Sequence, residues 1–373
     1  MELTDFLLVI AGLVLLAAGG EGLVRGASTI ATKLKLSPLI IGLVVVSAAT
    51  SAPELAVTMD AVAKGESGLA VGNVIGSNII NILVILGISG LISPVVIKRR
   101  VVSFDIPVMV GLTVLLLALS LDGNIGALDG ALLLAGLVFH IVMSITVGRK
   151  YVPEPDELPN SMPLNSKPVS IWLALLLLVA GIGLLVAGAQ MLVTGATSIA
   201  TALGVSDLVI GLTVVAIGTS FPELATVVVA IRRGEKDMAV GNIVGSNIFN
   251  IGLVLGLPAV VFEGGISVPT AAIALDMPLM LATAIALLPV AFTGFIIRRW
   301  EGGLFVSLYL AYTLYVVLAS TEHDAAEGFT SIMLWFALPL VAATLVAITS
   351  YEIGIIRGRK QHPKKKLKTS PKR

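Results

Sequence analysis

The chain has 373 residues, of which 57% are hydrophobic and only 13% charged, with a mean hydropathy of +1.03. A soluble domain carries about a quarter charged residues, so this composition excludes a water-soluble globular protein and places the chain in a bilayer. The net charge of +1 conceals an uneven distribution; cysteine is absent, which excludes disulfides and thiolate chemistry, and the sparse aromatics form no basic-aromatic patch of the kind that binds nucleic acid.

A bilayer-spanning helix needs about twenty mostly apolar residues. In chain order the sequence predicts spans over 5–32, 38–63, 69–92, 103–121 and 126–148, then a polar, proline-rich linker over 149–168. A second series covers 169–203, 208–232, 238–262, 268–297 and 302–320, and one further apolar segment covers 330–356. The N-terminus carries Glu2 and Asp5 where a signal peptide would be positive, so 5–32 reads as a retained span.

Basic residues orient these spans. With the N-terminus outside, Lys33, Lys35, Lys98, Arg99, Arg100, Arg149, Lys150, Lys167, Arg232, Arg233, Lys236, Arg298 and Arg299 all fall on the cytoplasmic side, joined by the nine Lys and Arg residues between Arg357 and Arg373. Only Lys64 falls in an external loop, and Arg25 lies within the first span, four residues after Glu21, where a helical ion pair is favourable. The expected location is the cell's inner (plasma) membrane, multi-pass, with the C-terminus cytoplasmic and lipid as the surrounding partner; protein partners are not encoded legibly.

The series are copies of one another. Thr50-Ser51-Ala52-Pro53-Glu54-Leu55 recurs as Thr219-Ser220-Phe221-Pro222-Glu223-Leu224, and Gly72-Asn73-Val74-Ile75-Gly76-Ser77-Asn78-Ile79-Ile80-Asn81 recurs as Gly241-Asn242-Ile243-Val244-Gly245-Ser246-Asn247-Ile248-Phe249-Asn250, at a constant offset of 169 residues. Glu21 matches Gln190, Asp105-Ile106-Pro107 resembles Asp276-Met277-Pro278, and Asp129-Gly130 resembles Glu301-Gly302. Five spans per copy force the second copy to enter from the opposite face. The predicted fold is therefore an all-α polytopic membrane protein of two inverted five-helix repeats, 1–148 and 169–320, with one extra transmembrane helix and a basic tail in 321–373, about 11 spans in all. Inverted repeats of this kind place ion sites near the midplane on interrupted helices.

Glu54 and Glu223 fall in mid-span. A carboxylate there costs several kcal/mol unless it has a partner or lines a pathway, and neither lysine nor arginine is placed to neutralise either one. Pro53 and Pro222 lack an N–H for the carbonyls of Ala49 and Gly218, so each hinges its helix and frees backbone oxygen one turn before the carboxylate. Such broken backbone persists in a membrane only where protein buries it or a cavity wets it. Together with Thr50, Ser51, Thr219, Ser220 and the amides of Asn81 and Asn250, these groups form an all-oxygen environment suited to a hard cation; calcium takes six to eight oxygens about 2.3–2.6 Å away. Histidine occurs only at His140, His323 and His362, which disfavours a soft-metal site. The glycines of the third and eighth spans read as packing residues, Asp60 as structural, Asp105, Asp207 and Asp276 as helix-start residues, and His140 as core.

The two Thr-Ser-x-Pro-Glu-Leu and two Gly-Asn-x-x-Gly-Ser-Asn-Ile-x-Asn segments resemble the alpha-repeats of the sodium/calcium exchanger family, in the calcium/cation antiporter superfamily, above all its short prokaryotic members; the likeness covers residues 1 to about 320. The resemblance implies that the second, third, seventh and eighth helices line the site. Calcium would be bound by the carboxylates of Glu54 and Glu223 with the carbonyls of Thr50 and Thr219. Sodium would be bound by Ser51, Ser77, Ser220 and Ser246, the same glutamates, and the carbonyls of Ser47 and Ala216, with Asn81 and Asn250 central. It implies exchange of calcium for sodium, with potassium a further candidate ion and no cofactor, by sliding of the first and sixth helices. The chain departs from the family at Ala49, where glycine is usual, at Ser47, at the paired Asn81 and Asn250, in its short linker and in its additional span. Two other transport readings stand beside this one: a proton/calcium exchanger and a passive cation channel. An enzyme is disfavoured, since no zinc-protease motif, serine–base pair or pair of catalytic aspartates is recognisable.

Overall fold

The computed structural model describes residues 3–148, 170–203, 216–321 and 325–361. Among these, ten helices are long and apolar enough to cross a membrane: α1 (Leu3–Leu34), α2 (Pro38–Ala63), α3 (Ser67–Ile92), α4 (Val101–Leu119), α5 (Ala127–Thr146), α6 (Ile171–Ala202), α8 (Lys236–Val261), α9 (Ala272–Phe292), α10 (Arg299–Ala319) and α11 (Glu327–Tyr351). Between α6 and α8 lie a short turn of helix, Ala216–Gly218, and α7 (Phe221–Arg232); the predicted linker over 149–168, Asp207 and residues 208–215 of the predicted seventh span fall outside the described residues.

Four short strands report the pseudo-symmetry directly. β1 (Val95–Val96, after α3) pairs antiparallel with β4 (Ile296–Ile297, after α9), and β2 (Asn124–Ile125, after α4) pairs with β3 (Ile266–Ser267, after α8). Exchanging the repeats turns one pair into the other. The pairing also fixes the faces. α4 alone separates β1 from β2, so β1 lies on one face and β2 with its partner β3 on the other; β1 follows α3 and β3 follows its counterpart α8. Inversion of the second repeat follows.

The strands correct one expected boundary. The ninth span was predicted to run over 268–297, but its helix ends at Phe292 because Gly294 and Phe295 both adopt positive φ and the β-branched Ile296–Ile297 pair with β1.

One face gathers the positive charge. Lys236 donates to Ser93 Oγ at 2.8 Å and to the Pro94 carbonyl at 3.0 Å, and Lys98 pairs with Asp237 at 3.0 Å. The α3–α4, α7–α8 and α9–α10 loops therefore meet on one basic face, as their charges predicted. On the other face Lys64 is held by Asp60 at 2.6 Å, which keeps its ammonium above the ordinary lysine range and agrees with the structural reading of Asp60.

α1 and α6 pack antiparallel along a glycine seam. A Cβ at Gly12 would stand 2.7 Å from the Gly188 carbonyl oxygen, one at Gly19 2.8 Å from that of Gly181, and one at Gly26 2.6 Å from that of Ala174. The seven-residue spacing keeps these positions on one stripe, and small residues let membrane helices approach this closely. Gly19→Leu is expected to force the pair apart, at a cost of about 1–3 kcal/mol for an overpacked contact, and to lower the melting temperature in detergent by several degrees. Gly183→Leu, on α6 but off the seam and with no atom near its Cβ, is expected to leave melting unchanged.

α3 and α8 form the centre of the molecule, whereas α11 is exposed along its length, with Trp335 at 85%. The fold thus has a duplicated core and an appended helix.

Three side-chain expectations are overturned. Asp105 and Asp276 do not cap their helices: Asp105 bonds His140 Nε2 at 3.0 Å, and Asp276 accepts from Tyr312 at 3.3 Å. His140 is accordingly not a solitary core residue, and Phe104 stacks against it. Glu21 is taken not by Arg25, which is exposed, but by Arg233, whose Nε donates at 2.7 Å.

Candidate functional site

Both proline motifs break their helices at the same residue. In α2 the first half ends at Thr50, Ser51 sits at φ −79°, ψ −2°, and a new helix starts at Ala52. In the second copy Ser220 sits at φ −92°, ψ 5°, and helix restarts at Phe221. Proline is tolerated in a first turn, where its missing N–H would be unpaired anyway. Glu54 and Glu223 therefore stand in the first turn of a half-helix, at the end whose backbone dipole favours an anion. Pro53 and Pro222 occupy the second position of the restarted helices.

α3 and α8 deform in parallel. Their regular helix gives way to wider, π-type turns beginning at Asn81 and at Asn250. Such bulges inside α-helices concentrate at functional sites.

The two carboxylates, separated by 169 residues, come together. Glu54 and Glu223 lie near enough to act on one another electrostatically, with Thr50 in the neighbourhood of Glu223. Both glutamates are buried, at 0% and 1% exposure. None of their four carboxylate oxygens has a well-formed hydrogen bond, and the same holds for Ser51 Oγ, Ser77 Oγ, Ser220 Oγ, Asn81 Oδ1 and Asn250 Oδ1. Buried polar groups are otherwise almost always paired. Unpaired buried polar atoms drawn from both repeats, the amide nitrogens of Asn81 and Asn242 among them, mark this part of the molecule. Among the described residues no group of three or more His, Cys, Asp and Glu could hold a metal, so the two carboxylates and neutral oxygens are the available donors.

The remaining predicted residues divide into two sets. Thr50 and Ser246 are tied to one another at 3.3 Å and both bond the Asn242 amide oxygen, at 3.2 and 3.3 Å. Ser47 uses its hydroxyl on the carbonyls of Gly42 and Asn242, at 2.8 and 3.1 Å, while its own carbonyl accepts from Ser51 N at 2.9 Å. Thr219 is half-buried at the second break, and Ala216 opens the short helix before it.

Asn242 was legible only as a motif letter. Its side-chain oxygen braces α8 against α2 by accepting from Ser47, Thr50 and Ser246. Asn250 likewise donates to Asn78 at 3.1 Å, joining α8 to α3. Asn242→Ala would remove the acceptor shared by the buried hydroxyls of Thr50 and Ser246, whereas Ser47 keeps the carbonyls of Gly42 and Asn242. The substitution is expected to destabilise the protein by about 1–3 kcal/mol, seen as a lower melting temperature in detergent.

The two sides of the site differ. Gly241, Asn242 and Gly245 are buried, with the Leu39 carbonyl oxygen only 2.5 Å from a Cβ built at Gly241. Their counterparts in α3 are less enclosed: Gly72 is exposed, and Asn73 and Gly76 are half-buried. The α8 side of the site, toward the basic face, is thus more closely packed than the α3 side.

Comparison with known proteins agrees with this geometry. Residues 4–146 and 173–318 match the family model described as sodium/calcium exchanger protein. The chain is 39% identical over 307 residues to a protein named CaxA from Alkalimonas amylolytica, covering 82% of this chain and 96% of that one. It is 32% identical over 345 residues to the sodium/calcium exchanger MaX1 of Methanosarcina acetivorans, covering 84% and 98%. Among solved structures, that of the sodium-calcium exchanger NCX_Mj superposes with a TM-score of 0.70 at 30% identity, over 83% of this chain and 98% of that one.

Proposed function

Because the chain belongs to the sodium/calcium exchanger family, we propose that it is a secondary active antiporter that exchanges calcium for sodium, binding both ions between Glu54 and Glu223. The reading is carried by one observation: the buried carboxylates of the two repeats lie near one another, and none of their oxygens has a hydrogen-bond partner.

The chemistry follows from charge. Two adjacent carboxylates in a low-dielectric interior repel one another and are expensive to cross a bilayer uncompensated. One calcium ion neutralises the pair, and so do two sodium ions; in either loaded state the site carries no formal charge across the bilayer. Calcium would draw on Glu54, Glu223 and the carbonyls of Thr50 and Thr219. Sodium would draw on the flanking hydroxyls of Ser51, Ser77, Ser220 and Ser246 and the carbonyls of Ser47 and Ala216. Asn81 and Asn250 would supply amide oxygen between them. The half-helix restarts at Ala52 and Phe221 let these oxygens turn toward an ion without unwinding a full span. Potassium, if carried, would compete for the same oxygens.

Access would alternate between the faces, with the more closely packed basic side cytoplasmic and the other side external. This orientation puts the N-terminus outside and agrees with the positive-inside rule for an inner-membrane protein.

The test is calcium uptake into proteoliposomes under separately imposed sodium and proton gradients. An outward-directed sodium gradient is expected to drive calcium accumulation, and a proton gradient alone is not. Accumulation driven by protons alone would make the protein a proton/calcium exchanger. Calcium movement with no counter-ion requirement would make it a channel.

A further inference from the structure

We propose that Glu21, Arg233, Ser28 and Glu235 form a latch on the basic face, which holds the α1–α6 pair in its present position and must open for the ion site to face that side. The proposal rests on the alternating-access reading above.

The latch is a set of contacts between two bodies. α1 and α6 form one body through their glycine seam. The other body includes α7 and α8, which carry site residues. Between the two, Gly20 lies under Ala225 and Val229, Glu21 is bound by both Nε and Nη2 of Arg233, and Ser28 donates to Glu235 at 2.7 Å. A bidentate guanidinium–carboxylate pair fixes geometry as well as charge.

Inverted repeats supply an internal control, since each latch residue has a counterpart at the same 169-residue offset on the opposite face. Glu21 corresponds to Gln190, Arg233 to Lys64, Ser28 to Thr197 and Glu235 to Glu66. There the contact is open: Gln190, Lys64 and Glu66 are exposed, whereas Glu235 is buried. Thr197 Oγ1 is buried without a hydrogen-bond partner.

The asymmetry is written into the residue types. Lys64 is held within its own helix by Asp60 at 2.6 Å, and the position matching Asp60 in the second repeat is Val229. Arg233 therefore has no intrahelical acid one turn back and reaches across to Glu21. In the opposite conformation Thr197 could bond Glu66, but Gln190 offers no charge to Lys64. The basic-face latch has an ion pair and a hydrogen bond; its mirror image could form hydrogen bonds but no ion pair. The sequence is biased toward the conformation latched on the basic face.

The absence of native cysteine makes the test direct. A Glu21→Cys/Arg233→Cys double variant, reconstituted in proteoliposomes, is treated with a short, reducible bifunctional methanethiosulfonate reagent. Cross-linking is expected to lower sodium-driven calcium flux at least about tenfold, by holding one of the two states needed for turnover, and reduction is expected to restore it. Flux that persists after cross-linking would overturn the latch, because a contact kept throughout the cycle can be tied without loss. Failure to cross-link would refute the contact itself. In a second arm, Glu21→Gln is expected to change flux by a few-fold, as for a half-exposed ion pair, and the Glu21→Arg/Arg233→Glu exchange is expected to return it toward the parent value. No return would argue against the pair. If the unmodified protein shows no sodium-driven exchange at all, the transport reading fails and the latch with it, a result distinct from exchange that survives the cross-link.

Discussion

Replacing Glu54 or Glu223 with glutamine is expected to reduce calcium exchange to background while the protein remains folded and inserted. Glutamine keeps the size of the side chain and an oxygen in the site but removes one of the two charges that hold a divalent ion. Losing one member of a buried charge interaction costs about 3–5 kcal/mol, which is about two to four decades in affinity. Folding should survive because neither carboxylate is held by a protein cation: the described ion pairs lie at the basic face, at Asp60 and around Asp105. The measurement is sodium-driven isotope uptake by each variant, with monodispersity in detergent as the folding control. Normal exchange in both variants would remove the mechanism. Activity lost only at one glutamate would show that the inverted repeats contribute unequally.

Much of this arrangement was legible because the chain states it twice. A mid-span carboxylate following a proline is unusual; the same feature 169 residues later, in an odd-numbered repeat, implies two inverted half-sites around a shared ion. The faces of the loops were legible from their charges, and the strand pairing and the Lys98–Asp237 contact bring the described basic loops together.

What was not legible depends on which helix lies opposite. Asn242 reads as part of a glycine-rich packing motif until α2 places three hydroxyls against its amide oxygen. Asp105 precedes a proline near a span start, which locally suggests a cap; the helix begins a turn earlier and frees the side chain for His140 on α5. A signal for that pair was present in the repeat, because Asp276 and Tyr312 occupy the equivalent positions and make the equivalent contact. Glu21 was assigned to Arg25 by helical spacing, a preference worth only about 0.2–0.5 kcal/mol. The bidentate contact to Arg233 outweighs it.

The second large effect concerns stability. Calcium is expected to raise the protein's melting temperature, and its removal by chelation to lower it. A ligand that binds only the folded state stabilises it by about 2.7 kcal/mol at a hundredfold excess over its dissociation constant and about 4.1 kcal/mol at a thousandfold excess. The source of that energy is the carboxylate pair, since two unit charges about 4 Å apart at an effective dielectric of about 20 repel by about 4 kcal/mol, and a cation between them converts the repulsion to attraction. A Glu54→Gln/Glu223→Gln double variant should therefore behave in two ways at once. Without calcium it should melt no lower than the parent, because neutral amides remove the repulsion and bring donors to the unpaired oxygens around them. With calcium it should show no further rise. Differential scanning fluorimetry in detergent, with and without chelator, measures both. A calcium-dependent rise that persists in the double variant would place the ion elsewhere, and a calcium-free variant melting well below the parent would mean that the glutamates hold the helices together rather than wait for an ion.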